Sequence, residues 1–510
     1  METTVGGLIR AAARRYGAKT ALIVGDATYS YAALDEQSSI LAAHLEQMGF
    51  QKGDVISLCA PNSAEWIISY YAILKMGGVV NPLNLMLTPT EVAYAMKDCG
   101  AKAILGAAEN LAALSSLADE GMTATRIAWG EPVPKATIQF TDLQTWPADV
   151  EPEYPVSGLQ AIDTCSVSYT SGTTGHPKGA LLTHGAILMN VEMTSVMHAR
   201  THEDVIVSAL PCSHVYGNVV MQSTFSHGGT LVLHAAFDAE RIAQSIETHR
   251  ATLLEGVPTM YMYLLNFGRL DQFDLSSLTR CTVGGQTMPV SKLEDVERVF
   301  GCPILELWGM TEIGGLGTTH TFYGPHKLGS IGIAMPHVEI RIAAVDDPTA
   351  PIETGQVGEL QVRGPITMRE YIGNSAATAE VLLESGWLRT GDLAYIDAEG
   401  FAFIVDRLKD LIITAGFNIY PAELERVIAA YPGVAMVAVG SVADDDKGEL
   451  AKAYIVQRED AQLDLEDLRR YCRENLAAYK VPRAFQLVPD LPKTSTGKIM
   501  RRALRQLDSD

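Results

Sequence analysis

The chain has 510 residues, 47% of them apolar and 19% charged, which is the composition of a globular protein and not of a disordered one. A formal net charge of −21 excludes a general nucleic-acid-binding face and docking on anionic lipid, because both need a basic surface. A chain this long exceeds what one hydrophobic core can organise, so two or more domains are expected.

The amino-terminal stretch through Gly17 is short and amphipathic and lacks the apolar centre of a signal peptide. Strand-like runs then alternate with helical patterns. Val55–Cys59 reads as a strand, and Ala64–Lys75 as a helix after the turn Pro61-Asn62-Ser63. The apolar run from Trp66 to Leu74 stops at Lys75, too short for a membrane span, and reads as a buried helix. Val79-Val80, Ala103-Ile104-Leu105, Val205–Leu210, Thr230–Leu233 and Cys281–Val283 continue the alternation. That pattern predicts α/β layers on parallel sheets.

The character shifts near Ala402–Asp410. Phe403-Ile404-Val405 ends a strand, and Asp406-Arg407-Leu408-Lys409-Asp410 is a charged run. Beyond it, Ala422–Ala430 and Leu465–Leu476 read as helices, and Ala435–Gly440 and Ala451–Val456 as strands. This is an α+β unit of about 100 residues, an ordinary domain size. The expected organisation is an α/β fold with a large multi-layer N-terminal domain over 1–406, a connection at 407–410 and a small α+β C-terminal domain over 411–510. Seven cysteines, at 59, 99, 165, 212, 281, 302 and 472, stand singly. With no Cys-x-x-Cys pair and no cysteine–histidine cluster, zinc is not expected, and reduced thiols in a cytoplasmic protein are.

The most informative segment is Thr170-Ser171-Gly172-Thr173-Thr174-Gly175-His176-Pro177-Lys178-Gly179. Glycines let backbone N–H groups approach phosphate oxygens, hydroxyls add donors, and Lys178 adds a point charge. The run Val167 to Thr170 before it reads as the end of a strand. The P-loop of kinases and GTPases ends in Gly-Lys-Ser/Thr; here His176 and Pro177 separate glycine from lysine, which excludes that class.

The segment instead resembles the phosphate loop of the acyl-adenylate-forming superfamily, which includes acyl- and aryl-CoA synthetases, adenylation domains of peptide synthetases and beetle luciferases. Further strings resemble it in the same order along nearly the whole chain. Pro211-Cys212-Ser213-His214-Val215-Tyr216-Gly217 resembles the segment bearing an aromatic or histidine gate, which implies that His214 orients the acyl carboxylate. Gly284-Gly285-Gln286 resembles a Gly-Gly-Ala stretch along the adenine, with glutamine where alanine is usual. Trp308-Gly309-Met310-Thr311-Glu312 resembles a Tyr-Gly-Met-Thr-Glu motif: Thr311 is implied to touch the AMP phosphate, Glu312 to hold Mg²⁺, and Trp308 to lie flat against adenine. Glu306 and Leu307 are expected beside the nucleotide. Thr390-Gly391-Asp392 implies a ribose-binding aspartate, joined by Arg407 from the domain boundary. Lys409 matches the hinge position, where the small domain pivots between half-reactions. Lys498, in Pro492-Lys493-Thr494-Ser495-Thr496-Gly497-Lys498, matches the adenylation lysine.

Together these imply an AMP-forming acid–CoA ligase that uses ATP, Mg²⁺ and CoA. Lys498, His214, Thr311 and Glu312 are its implied catalytic residues, and Thr170, Ser171, Gly172, Thr173, Thr174, Lys178, Gly285, Gln286, Asp392 and Arg407 its nucleotide contacts. The acyl pocket is expected at His214, Val215, Tyr216, Leu307 and Gly314, and the loop serving thioester formation at Gly416 and Phe417. Leu307 stands where hydroxycinnamate-type ligases resemble one another in having glycine and malonate-type ligases in having arginine. Ile413 and Ala415 replace lysines of plant-type aryl ligases, whereas Tyr216 matches the tyrosine that meets a phenolic hydroxyl there. An uncharged aliphatic or aryl monocarboxylic acid is expected. The partners are small molecules only, with no nucleic acid and no membrane span, and the chain is a monomer or homodimer. The alternatives are a stand-alone enzyme loading a carrier protein, an oxidative luciferase and a silent nucleotide-binding regulator. Retention of Lys498, Glu312, Asp392 and Lys178 together speaks against the last.

Overall fold

A computed structural model describes residues 3–114, 124–131, 137–147, 154, 158–170, 177–414, 417–444, 448–458, 461–494 and 497–508, with backbone alone at 417, 418 and 448. Two large sheets organise the first part of the chain. In one, Val55–Cys59, Val79–Pro82, Ala103–Ala107 and Thr125–Trp129 run parallel, and Thr164–Thr170 closes the order with the antiparallel Lys178–Thr183. In the other, Val205–Ser208, Thr230–Leu233, Leu253–Gly256, Arg280–Gly284 and Ile304–Met310 are mutually parallel. Their residues are buried almost without interruption. That is why they read as continuous apolar runs and not as alternating ones: helices cover both faces of a parallel sheet.

The helix Ala64–Lys75 shows the local logic. Ser63 caps it by accepting from the Trp66 N–H at 3.2 Å. All of it but Glu65 is buried, Lys75 included, because the Lys75 ammonium reaches Asp35, Ser38 and Ser39. Among the described residues, no helix is long and apolar enough to cross a membrane. All seven cysteines are free and buried.

A third sheet departs from the α/β alternation expected up to the boundary. Glu339–Ala343, Gly358–Arg363, Leu388–Ile396 and Ala402–Arg407 form an antiparallel four-stranded sheet. Its first strand, Glu-Ile-Arg-Ile-Ala, alternates polar and apolar residues, the pattern of a half-covered antiparallel strand. Register on this sheet sets Asp392 opposite Arg407.

The final hundred residues hold a core of their own. It includes Ile412, Leu424, Ile428, Val439, Ile455 and Leu468. The helices Pro421–Ala429 and Leu465–Asn475 pack with the strands Val434–Asp444 and Gly448–Gln457. Both strands run past the expected bounds. Met436, Tyr454, Leu491 and Leu504 join the main core instead, so the small unit is packed against the large one.

Candidate active site

Parallel strands deliver their carboxyl ends to one edge of a sheet, where open α/β folds bind ligands. Here those ends are followed by Pro211–Tyr216, Val257–Thr259, Gly285-Gln286 and Thr311-Glu312. Three of the segments singled out above, those of His214, Gln286 and Glu312, thus gather on one edge, with Val257–Thr259 beside them.

Lys178 opens the strand Lys178–Thr183, opposite Thr170. Ser171, Gly172, Thr173 and Thr174 lie outside the described residues, as does Gly416. The segment around Tyr371 runs along this strand, with the Ile372 N–H donating to the Gly179 carbonyl at 2.8 Å. Tyr371 therefore stands between two expected site residues. The Lys178 ammonium lies 5.2 Å from its ring centre, and its hydroxyl donates to Glu312 Oε1 at 2.6 Å. Tyr371 was not singled out from the sequence, since a lone tyrosine carries no periodic signal. Glu312 is buried in the turn Thr311–Ile313, and that burial raises its pKa despite the tyrosine hydrogen bond and the field of Arg407. A buried carboxylate whose charge is so poorly compensated fits Mg²⁺, which takes one or two carboxylates and fills its shell with phosphate oxygens and water. No group of three or more histidine, cysteine, aspartate or glutamate side chains among the described residues forms a self-sufficient metal cage.

Asp392 accepts from the Trp308 indole N–H at 2.7 Å and from Arg407 Nε at 3.1 Å. The tryptophan is thus anchored by the carboxylate expected to meet ribose. Glu306, one pleat away on the same strand, is buried with its carboxylate on the Gly329 N–H at 2.6 Å, and burial pushes its pKa up to about 8. Leu307 faces the other way and packs on Gly284, where a Cβ would come within 2.1 Å of its Cδ1. Gly314 takes a left-handed φ of 65° after the turn, a conformation that favours glycine.

Lys498 is brought to this edge from the small unit. Gly285, at φ 93°, makes room for it: a Cβ there would lie 2.7 Å from Lys498 Cε. Burial, helped by the field of Arg407 and opposed by that of Asp392, lowers the Lys498 pKa to about 8. The Gln286 amide pairs with the backbone of Ile499, donating to its carbonyl at 3.1 Å and accepting from its N–H at 2.7 Å. Thr259 donates to the Gly497 carbonyl at 2.6 Å. Arg501 ties the same terminal segment to Asp410 at 2.9 Å and to Glu425 at 2.7 Å. Lys409 is exposed in the turn between Ala402–Arg407 and Ile412–Thr414, and Phe417 begins the strand Phe417–Ile419.

His214 caps the helix Val215–Ser226, its Nδ1 accepting from the Tyr216 N–H at 3.3 Å. Burial, with a smaller contribution from Lys498, lowers its pKa to about 3. The ring is therefore neutral, and with Nδ1 accepting, Nε2 carries the proton and is free to donate to a carboxylate or acyl oxygen. Tyr216, expected in the acyl pocket, is buried and its hydroxyl is tied to neighbouring strands. Its hydroxyl lies 2.7 Å from Thr282 Oγ1 and donates to Glu255 at 3.0 Å, inside a buried cluster completed by an Arg200–Glu255 ion pair. Between the two units lies a cavity of about 230 Å³, reached by Asn62, Ser213, Thr259 and Tyr263 from the large one and Lys493 and Gly497 from the small one.

The family model for the AMP-binding enzyme matches residues 9–372, and that for the AMP-binding enzyme C-terminal domain matches residues 423–498. The chain is 35% identical to a feruloyl-CoA synthase of an Amycolatopsis species, over 96% of this chain and 95% of that one. It is 33% identical to a long-chain-fatty-acid–CoA ligase of Bacillus subtilis (strain 168), over 99% of this chain and 95% of that one. A solved anthranilate CoA ligase in complex with anthranoyl-AMP has the same fold, with a TM-score of 0.91 at 24% identity over 99% of both chains. Lys178 and Glu312 lie within the first match, Lys498 ends the second and Asp392 falls between them, and the chain belongs to the family of AMP-binding enzymes.

Proposed function

We propose that this chain is an AMP-forming acid–CoA ligase for an uncharged monocarboxylic acid, aliphatic or aryl. A carboxylate oxygen attacks the α-phosphorus of ATP, the bond to the β-phosphate oxygen breaks, and acyl-AMP and pyrophosphate form. The CoA thiol then attacks the acyl carbon, loses its proton, and releases AMP as the leaving group.

The observation that carries this reading is the docking of Lys498 against Gly285 beside Arg407 and Asp392. Negative charge builds on phosphoryl oxygens in the first step, and a desolvated lysine cation held there stabilises it more strongly than one in water. Lys178 and the backbone and hydroxyls of 170–174 would bind the same phosphates. Glu312 would hold Mg²⁺, which supplies further charge neutralisation on them. Asp392 and Arg407 would meet the ribose and Trp308 the base. Neutral His214 would orient the acid through Nε2–H.

The second step needs a different arrangement, because Lys498 occupies the edge that a thiol must reach. Rotation about 407–410, with Lys409 at the pivot, would withdraw Lys498 and bring in the Gly416-Phe417 loop. The interdomain cavity beside Ser213 offers the thiol a path.

Leu307 offers an acid no charge to pair with a second carboxylate, and the curated relatives named above act on fatty and aryl acids. The test is AMP formation from ATP and CoA across a panel of fatty, aryl and dicarboxylic acids. Monocarboxylic acids should be preferred. Leu307→Gly, which opens the space above Gly284, should raise relative kcat/KM for bulkier acids at unchanged KM for ATP. A preference for dicarboxylic acids, or AMP formation with a carrier protein but none with CoA, would overturn the reading.

A further inference from the structure

We propose that Gln286 latches the small domain in the position where Lys498 reaches the phosphate site. This rests on the ligase reading above and adds a positioning residue to it.

The side-chain amide is one of few groups that carry a donor and an acceptor side by side, and Gln286 spends both on a single residue. Its Nε2 donates to the Ile499 carbonyl at 3.1 Å and its Oε1 accepts from the Ile499 N–H at 2.7 Å. The opposite amide orientation would set N–H against N–H and carbonyl against carbonyl, so this pairing fixes it. Ile499 adjoins Lys498 on one side. Gly497 adjoins it on the other, and its carbonyl accepts from Thr259 Oγ1 at 2.6 Å. The lysine is thus pinned from both flanks by two side chains of the large domain, and Gly285 supplies the gap its stem passes through.

Gln286 also explains the departure from the superfamily pattern noted above. Alanine at that position makes neither bond. The two bonds join residues 213 apart in sequence, across the two units. They exist only while the small unit is docked this way, so they must break when it rotates for thioester formation. A contact made in one of two states shifts the population toward that state by its own free energy. Gln286 therefore favours adenylation and is neutral or slightly opposed to thioester formation.

The experiment compares wild type, Gln286→Met, Gln286→Ala and Gln286→Met with Thr259→Val. The readouts are single-turnover pyrophosphate release with ATP and the best acid of the panel, thioester formation from supplied acyl-adenylate and CoA, KM for ATP, Tm, and hydrogen exchange of residues 497–500. Methionine preserves length and removes both bonds. Pyrophosphate release should slow by about five- to thirtyfold, the effect of losing two ordinary hydrogen bonds. Both polar atoms of the Gln286 amide are spent on Ile499 and not on the nucleotide, so the loss should fall on the rate and not on KM for ATP. Tm should stay as in wild type, the thioester half-reaction should be unchanged or faster, the Ile499 amide should lose protection, and Thr259→Val should deepen the defect. Equal slowing of both half-reactions, a loss carried by KM for ATP, or unchanged pyrophosphate release would overturn the latch alone. Wild type that releases no pyrophosphate would remove the ligase reading and the latch with it.

Discussion

Replacing Glu255 by glutamine probes the polar cluster beneath the expected acyl pocket. The Arg200 and Glu255 side chains are 1% and 0% exposed, and Glu255 also accepts from Tyr216 and Thr282. Glutamine keeps the shape and an acceptor but removes the charge, which leaves the Arg200 guanidinium buried without its counter-ion. Removing one member of a buried pair costs about 3–5 kcal/mol, mostly the desolvation of the survivor. An unfolding entropy of about 2.1 cal/mol/K per residue over roughly 400 residues gives about 0.8 kcal/mol/K, so Tm should fall by about 4–6 °C. The double change Arg200→Met with Glu255→Leu removes both charges, and the Tyr216 and Thr282 hydroxyls keep each other at 2.7 Å. It should recover most of the loss, since apolar groups of similar volume replace buried pairs at little or no cost. Scanning calorimetry at neutral pH reads both. A fall below about 1 °C for the single variant, or a double variant no more stable than the single one, would refute the reasoning.

Two pH dependences follow from buried groups. Lys498 acts as a cation and its pKa is lowered to about 8, so kcat/KM for adenylation should fall as pH rises through that value. Lys498→Arg, if it retains activity, should lose this alkaline limb, and His214, lowered to about 3, should contribute none. A flat pyrophosphate-release profile across this range would count against the assignment. Glu306 has the opposite character. Its folded pKa of about 8 lies above the ordinary 4.5, so the native state holds a proton that the unfolded state has lost between these values. Its stabilising proton is fully present below about pH 4.5, and stability falls as pH rises toward about 8, by at most about 1.4 kcal/mol per unit. Glu306→Gln keeps an acceptor for the Gly329 N–H and should flatten that decline, with the Tm gap over wild type widening from acid to neutral pH. A constant gap would show that Glu306 is ionised in the native state.

The parallel strands were legible because burial on both faces leaves an uninterrupted apolar run, as in Thr230–Leu233 and Arg280–Gly284. The four-stranded antiparallel sheet was not separated from the α/β alternation, though its strand Glu339–Ala343 carries period-two patterning in plain view. Locally patterned site segments such as Gly284-Gly285-Gln286 and Trp308–Glu312 also stood out. Their partners did not, because contact across the fold leaves no local spacing. Tyr371 meets Glu312 from 59 residues away, and Glu255 gathers Arg200, Tyr216 and Thr282 from separate elements. Gln286 stood out only as a departure from pattern, and its meaning required Ile499 to be placed beside it.

The central claim is that carboxylate oxygen attacks the α-phosphorus of ATP at the edge where Lys498 docks. The direct measurement supplies the acid with both carboxylate oxygens labelled as ¹⁸O, together with ATP and CoA, and weighs the nucleotide product. Attack by the carboxylate makes one labelled oxygen the bridge of acyl-AMP, and thiol attack on the acyl carbon leaves that oxygen on phosphorus. The account predicts AMP carrying one ¹⁸O, formed with the thioester and abolished in Lys498→Ala. Unlabelled AMP, or ADP with labelled phosphate, would contradict it.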